Sequence, residues 1–376
     1  MEDKQLATAK DVPFYRKFSR RRFLGQAASL TLGGAASLSW LAACGDSPAS
    51  PGVPPTETVA VIETPVALPT TIAVPTATTA ATVPAATATA ASTATAVPTV
   101  TLAATVTPVP AKPINLAVFG DIRTAGPKPP EVYYTLVKQA AIAKPDAVLL
   151  VGDIINADTS RAGVKKQWAN FREATAPLAP ARILPTIGNH DTNFVDWAEP
   201  LYLDAFAADK VPANGPQNYI GHAYSMDFGP LHLVALASEL PAHPHKLGKQ
   251  QLAWLEQDLT ANTRPYTLVM SHDPAYPLGP HAGSSLDVYP DERDAFWKVL
   301  QKYKVNAYIC GHEHLYFRSQ RGGVTQLIAG ASGSNIYAGY GGGEFQFYTL
   351  LTVTDSGIAA KVIDPTGKER DTFKLG

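Results

Sequence analysis

The sequence predicts an α/β domain over residues 114–376, and three observations support this prediction. Short apolar runs alternate there with helix-like segments, which is the pattern of strands and helices in α/β folds. Five of the apolar runs stop at an Asp, Asn or His. Near the C-terminus, "FQFYTLLTV" and "IAAKVID" are joined by "TDSG", which predicts a β-hairpin and favours a second sheet.

The five apolar runs predict five strands, each followed directly by polar side chains. In chain order they are "INLAVFGD" up to Asp121, "DAVLLVGD" up to Asp153, "ARILPTIGNHD" up to Asn189 and His190, "YTLVMSHD" up to His272, and "NAYICGHEH" up to His312 and His314.

Amphipathic helices are predicted on either side of the fourth strand. In "QQLAWLEQDL", Leu252, Leu255 and Leu259 fall on one helical face, and the apolar residues of "DERDAFWKVLQKY" recur at the same spacing. These helices would cover one face of a sheet.

The residues that end the five runs indicate a metal centre. Open α/β sheets bind ligands outside the carboxyl ends of their strands, so these side chains should converge on one crevice. His312 and His314 are two positions apart, and in an extended segment both rings point to the same side. Two histidines at this spacing are also common in solvated loops, so the metal-site interpretation depends on the polar residues at the other strand ends. Carboxylate, amide oxygen and imidazole ligands suit Zn, Mn or Fe.

The same motifs, taken together, resemble the calcineurin-like metallophosphoesterases, and most closely their purple-acid-phosphatase-like branch. They are "GD" at 120–121, "GDxxxAD" at 152–158, "GNHD" at 188–191, "SHDP" at 271–274 and "GHEH" at 311–314. The resemblance extends over about residues 115–340. It implies that residues 114–376 form a four-layer αββα sandwich of two mixed sheets.

The resemblance also implies a dinuclear centre of Fe, Mn or Zn and a phosphoester substrate, hydrolysed by a hydroxide that bridges the two ions. Asp153 would bridge the ions, and five further ligands would be divided between them: Asp121 and His314 on the first, and Asn189, His272 and His312 on the second.

His190 would then stabilise or protonate the leaving oxygen, with Asp191 or a neighbouring carboxylate fixing its orientation. His281, in "LGPHAGSS", is a further candidate for the lining of the pocket.

Two positions depart from the family pattern. Many members have a histidine where this chain has Arg123, and the purple branch has a tyrosine ligand where this chain has Asn156. A protonated guanidinium cannot coordinate a metal, so either Asn156 or water would complete the first site. Arg123 could instead grip a phosphate oxygen. The alternative is a catalytically impaired binding module of the same fold, tethered to the cell surface.

The N-terminal residues 1–43 resemble a twin-arginine signal that ends in a lipobox. "SRRRFLG" begins at Ser19, and a run of small and apolar residues leads to "LAAC", which ends at Cys44. The resemblance implies export, cleavage before Cys44 and lipidation of its thiol, which would anchor the protein on the outer face of the cell membrane. An N-terminal transmembrane anchor is the alternative.

Residues 44–113 predict a disordered tether. They are rich in Pro, Thr, Ala and Val, carry almost no charge and show no apolar period. A Pro-rich extended chain of this length would reach up to about 200 Å from an anchor.

Charge and cysteine content bear on two further features. Without the first 43 residues, which carry seven Lys+Arg and three Asp+Glu, the chain has 24 basic and 29 acidic residues, a net charge of −5. This balance indicates no nucleic-acid partner. The two cysteines are Cys44 and Cys310, so no disulfide framework is expected.

Overall fold

A computed structural model describes residues 112–375 of the chain. The predicted signal segment 1–43, the lipidation site Cys44 and nearly all of the predicted tether lie outside these residues. Within the described part, no helix combines the length and the hydrophobicity that crossing a bilayer requires.

The helices and strands alternate along most of the chain, as the sequence predicts. The first part contains β1 (Ile114–Phe119), α1 (Glu131–Ile142), β2 (Ala147–Val151), α2 (Arg161–Thr175), β3 (Arg182–Thr186), α3 (Asn189–Thr192) and α4 (Glu199–Phe206). The middle contains β4 (Tyr224–Phe228), β5 (Leu231–Ala235), β6 (Glu239–Leu240), β7 (His243–Pro244), α5 (Lys249–Ala261), β8 (Tyr266–Met270) and α6 (Pro290–Lys302). The last part contains β9 (Ala307–Cys310), β10 (Tyr316–Arg321), β11 (Val324–Ala329), β12 (Tyr348–Thr354), β13 (Gly357–Ile363) and β14 (Glu369–Leu375).

The strands form two mixed sheets of six strands each. The first has the order β14-β13-β12-β1-β2-β3, with β1, β2 and β3 parallel and β12 to β14 antiparallel. The second has the order β10-β11-β9-β8-β5-β4, with a parallel centre and an antiparallel strand at each edge. The short strands β6 and β7 pair only with each other in the described part.

Alternate side chains of the strands belong to different cores, which gives four layers. In β1, Leu116 and Val118 pack between the two sheets, whereas Ala117 and Phe119 pack with α1 and α2. Tyr308 of β9 packs on the other side, with Leu255 of α5 and residues of α6. Side chains of a strand alternate between its two faces, so each central strand serves an intersheet core and a helix-covered core. The predicted αββα sandwich is confirmed.

The predicted C-terminal hairpin forms as β12 and β13, but its place in the fold differs from the expectation. It extends the first sheet, because β12 pairs antiparallel with β1 and sets Leu351 beside Leu116. Leu351 and Val353 are thereby buried in the intersheet core. The second sheet is built instead from residues 224–329. The residues of the turn predict that a hairpin forms, but they do not predict which strand the hairpin pairs with.

Candidate metal centre

The five predicted strands all form, and the turns that follow them bring their polar residues together. Three of the expected ligands have left-handed backbone conformations, with φ of 52° at Asp121, 53° at Asp153 and 68° at His312. Non-glycine residues rarely adopt this conformation, and it concentrates at functional sites. A Cβ at Gly152, whose φ is 86°, would collide with the His272 ring, so a glycine there allows the two strand ends to approach.

The first group of ligands places two acceptors face to face. His314 Nδ1 lies 2.9 Å from the carbonyl oxygen of Asn335, so Nδ1 is the donor and Nε2 carries the lone pair. That Nε2 lies 3.4 Å from Asp121 Oδ1, and neither atom has a hydrogen-bond partner within residues 112–375. Both side chains are buried. An imidazole lone pair opposite a carboxylate oxygen calls for a cation between them.

The second group repeats this arrangement. His272 Nδ1 donates to the carbonyl oxygen of Val151 at 2.8 Å, and His312 Nε2 donates to that of Ser284 at 2.9 Å. The remaining lone pairs, on His272 Nε2 and His312 Nδ1, face each other at 3.2 Å. Asn189 Oδ1 also lies 3.2 Å from His272 Nε2. The carbonyl partners fix the ring orientations in the way that outer partners fix metal-ligating histidines.

Asp153 contacts both sides of the centre. Its Oδ1 lies 3.4 Å from His272 Nε2, and one of its oxygens lies within 4.8 Å of the ligand atoms of Asp121 and His314. Asp153 is 1% exposed. The residues present therefore fit a dinuclear centre in which Asp153 is shared.

Burial sets the protonation of the imidazoles. Burial lowers the pKa of His312 well below its usual value and lowers the pKa of His314 to about 4, so both rings are neutral near pH 7. The neutral ring is the form that coordinates a metal. Burial raises the pKa of Asp121. At Asp153 burial acts in the same direction, but the polar neighbours of this carboxylate, including the Arg123 guanidinium, outweigh burial and lower the pKa.

Arg123 lies on the centre and does not point away from it. Its Nε donates to Asp153 Oδ2 at 2.9 Å, and its side chain is 19% exposed. Of the three guanidinium nitrogens, only Nε has a hydrogen-bond partner within the described residues, which leaves both Nη groups available.

Asn156 and Asp191 have partners other than the expected ones. Asn156 was a candidate ligand of the first ion, and Asp191 was a candidate partner of His190. Asn156 Oδ1 accepts a hydrogen bond from His190 Nδ1 at 2.8 Å, so Asn156 is occupied by His190. Asp191, expected to orient His190, instead accepts from four buried backbone amides, those of Gly188, Asp153, Ile154 and Ile155. Asn156 orients the His190 ring, and Asp191 shapes the turn after β2.

Two further side chains cover the histidine ligands. The His281 ring lies 4.0 Å from the His312 ring, and its Nε2 lies 3.0 Å from the Tyr337 hydroxyl. The Tyr337 ring stacks on His314 at 4.2 Å. The structure thus places His281 at the centre, where the sequence analysis had it as a candidate, and adds Tyr337. A single aromatic residue in a glycine-rich loop gives no sequence signal of such a position.

The fold and the opposed acceptors define an α/β protein with a candidate dinuclear metal centre at the strand ends. The chain belongs to the calcineurin-like phosphoesterase family, whose profile matches residues 114–316.

Individual proteins show the same relationship. Acid phosphatase type 7 of Homo sapiens is 30% identical over an alignment of 223 residues, which covers 54% of this chain and 47% of that protein. A cAMP/cGMP dual specificity phosphodiesterase of Mycobacterium tuberculosis is 26% identical over 190 residues, 50% of this chain and 55% of that protein. The solved structure of purple acid phosphatase PPD1 from yellow lupin (Lupinus luteus) has a TM-score of 0.57 at 19% identity, covering 70% of this chain and 54% of that one. This chain therefore spans about half the length of these relatives.

Proposed function

We propose that this chain hydrolyses phosphoesters with a centre of two metal ions, Fe, Mn or Zn. The observation that carries the proposal is the pair of opposed acceptors, Asp121 Oδ1 with His314 Nε2 and His272 Nε2 with His312 Nδ1. Buried acceptors that face each other without a donor are costly unless a cation lies between them. When bound, two such ions polarise a phosphoester and lower the pKa of the water that attacks it.

Arg123 binds the substrate in this proposal. Its Nε is held by Asp153, so its free Nη groups are directed by that contact and donate to phosphate oxygens. A planar guanidinium suits this role because its parallel donors match the spacing of phosphate oxygens. Arg123 thus supplies charge where related chains supply a metal ligand.

His190 serves the leaving oxygen. Its Nδ1 is engaged with Asn156, which leaves Nε2 to donate a proton or a hydrogen bond. Its main-chain amide donates to Asp153 Oδ1 at 2.9 Å, which ties the residue to the shared ligand. Asp191 contributes indirectly, through the backbone turn that presents Asp153.

The reaction is tested with the purified full-length protein, loaded with Mn²⁺ and offered a panel of aryl phosphates and bis-aryl phosphates. We expect release of the phenol from at least one of the two classes, loss of the activity with a chelator and its return with metal. His314→Ala should reduce both the metal content and the rate, whereas His243→Ala, at an exposed histidine, should change neither. A metal-loaded protein that hydrolyses neither class would favour the binding-module alternative.

The proposal extends to the place where the chain acts. "SRRRFLG" and the "LAAC" that ends at Cys44 support export by the twin-arginine route and anchoring by lipid on the outer face of the cell membrane. A tether of residues 44–113 would let the domain reach substrates away from the bilayer.

A further inference from the structure

A second cluster of ligand-type side chains lies beside the metal centre and has no role in the proposed reaction. It consists of Glu239 in β6, His245 directly after β7, and Asp273 in the turn after β8. His245 Nδ1 lies 2.6 Å from Glu239 Oε1 and 3.2 Å from Asp273 Oδ2. One imidazole nitrogen is thus bracketed by two carboxylates.

The backbone is arranged to bring these three residues together. The pairing of β6 with β7 sets Glu239 beside Pro244, the residue before His245. Ser238 joins the ribbon to the third element, because its carbonyl accepts from Lys246 N at 2.9 Å and its hydroxyl accepts from Asp273 N at 3.1 Å. His245 itself has a left-handed φ of 57°.

The carboxylates of this cluster lack the donors that buried acids need. Glu239 and Asp273 are both 0% exposed. Within residues 112–375, Glu239 Oε2 and Asp273 Oδ1 have no hydrogen-bond partner, and Glu239 Oε1 contacts only His245 Nδ1. Buried carboxylate oxygens without donors are unfavourable, because they have lost the hydrogen bonds that water would supply.

We propose that Glu239, His245 and Asp273 bind a third metal ion, next to the dinuclear centre. Two carboxylates and an imidazole form a donor set for a borderline divalent ion such as Mn²⁺ or Zn²⁺. The orphaned oxygens of Glu239 and Asp273 supply the ligand atoms, and a dication balances both carboxylates.

The third ion would lie on the His312 side of the centre. Asp273 directly follows the ligand His272, its Oδ1 lies 3.9 Å from His312 Nδ1, and the rings of His245 and His312 are 5.9 Å apart. The ligand atoms of His245, Asp273 and His312 all lie within 4.8 Å of one another, so the new site would adjoin the second ion and add positive charge beside it.

The test counts metal ions bound to the full-length protein. The protein is stripped with a chelator, loaded with Mn²⁺ and dialysed, and the bound metal is measured by mass spectrometry. We expect three equivalents in the wild type and two in Glu239→Gln. The matched control is Glu199→Gln, which alters a different carboxylate paired with a histidine, His222, at 2.9 Å, and should retain three.

Combination with a ligand variant identifies the site that loses the ion. His314→Ala should bind two equivalents, and the double variant with Glu239→Gln should bind one. His245→Gln provides the same test if Glu239→Gln fails to fold, as judged by its melting temperature.

Equal metal content in the wild type and Glu239→Gln would overturn the inference and leave His245 as the cation that the carboxylates share. Two equivalents in the wild type together with phosphoester hydrolysis would reject the third site and leave the proposed function intact. Absence of both metal and hydrolysis would reject the proposed function itself.

Discussion

Arg123 Nε lies 2.9 Å from Asp153 Oδ2, so a fixed positive charge contacts the carboxylate that the two metal ions would share. A guanidinium beside two dications is repelled by them unless negative charge lies between. Asp153 supplies part of that charge, and a substrate phosphate would supply more. The pair therefore favours a site in which the negative charge of the substrate balances the positive charge of Arg123 and the metal ions.

Replacement of Arg123 by alanine should weaken the reaction without removing the metals. Loss of charge-assisted hydrogen bonds of about 1.5–3 kcal/mol corresponds to roughly 10- to 100-fold in kcat/KM. Kinetics with an aryl phosphate and a metal count on the same sample measure the two effects. Arg123→Lys should recover only part of the loss, because an ammonium cannot form the paired contacts.

Arg123→His distinguishes two roles for this position. Arg123 either binds the substrate phosphate or occupies the place of a histidine that would bind metal. If the arginine acts on phosphate, the histidine variant should hold no additional metal and should be slower than the wild type. A rise in metal content together with a faster reaction would instead show that the position serves as a vacant ligand site, and kinetics unchanged in Arg123→Ala would exclude both roles.

His190→Ala should lower turnover by about 10² to 10⁴ while the metal content stays unchanged, because general acid catalysis is typically of that size. Asn156→Ala should have a smaller effect, since it leaves the ring present and removes only the partner of Nδ1. Turnover and metal content are compared in the same preparations. Loss of both metals from His190→Ala would contradict this assignment.

His232 should make stability depend on pH. Its Nδ1 lies 2.8 Å from Asp227 and its Nε2 lies 2.8 Å from Asp258. Burial lowers the pKa of His232, but the two carboxylates outweigh burial and the net shift is upward. A raised folded-state pKa means that the stabilisation is fully present below the unfolded value, about 6.5, and is lost as the pH rises through the folded value.

We therefore expect His232→Gln to lower the free energy of unfolding by about 2 kcal/mol at pH 5.5 and by less at pH 9. Urea unfolding at the two pH values measures the difference. His243→Gln, at an exposed histidine, is the matched control. An equal loss at both pH values would show that His232 contributes packing and not charge.

The export proposal has its own test. Replacing Arg20 and Arg21 with lysines should retain the protein inside the cell, because the twin-arginine pair is the feature that supports this route. Cys44→Ser should leave export intact and release the protein from the membrane fraction. Fractionation and immunoblotting measure both outcomes, and normal export of the lysine variant would count against the route.

The ends of the strands are the feature that the sequence predicts best. Each of the five apolar runs contains one strand of the structure, because a buried parallel strand is a short apolar run and its end is marked by polar residues. The sequence does not predict the hydrogen-bond partners of Arg123 and Asn156. Contacts between side chains that are 30 or more residues apart depend on how the turns fold. The local pattern of apolar and polar residues does not predict such contacts.

The cluster around His245 illustrates the same limit. Glu239, His245 and Asp273 have no common spacing, and they come together only because a two-residue ribbon sets the first beside the second and a serine ties both to the end of β8. In the sequence, His245 in "AHPHKLG" resembles any solvated loop histidine.

The pairing of β1 with β12 bears on how the chain folds as it is made. Leu116 is synthesised early, yet its antiparallel neighbour Leu351 follows only near the end of the chain. Until β12 emerges from the ribosome, one edge of β1 has no partner, and an open strand edge invites pairing with other chains. Completion of the first sheet thus waits for nearly the whole polypeptide, and a chain shortened before residue 348 would keep this edge exposed.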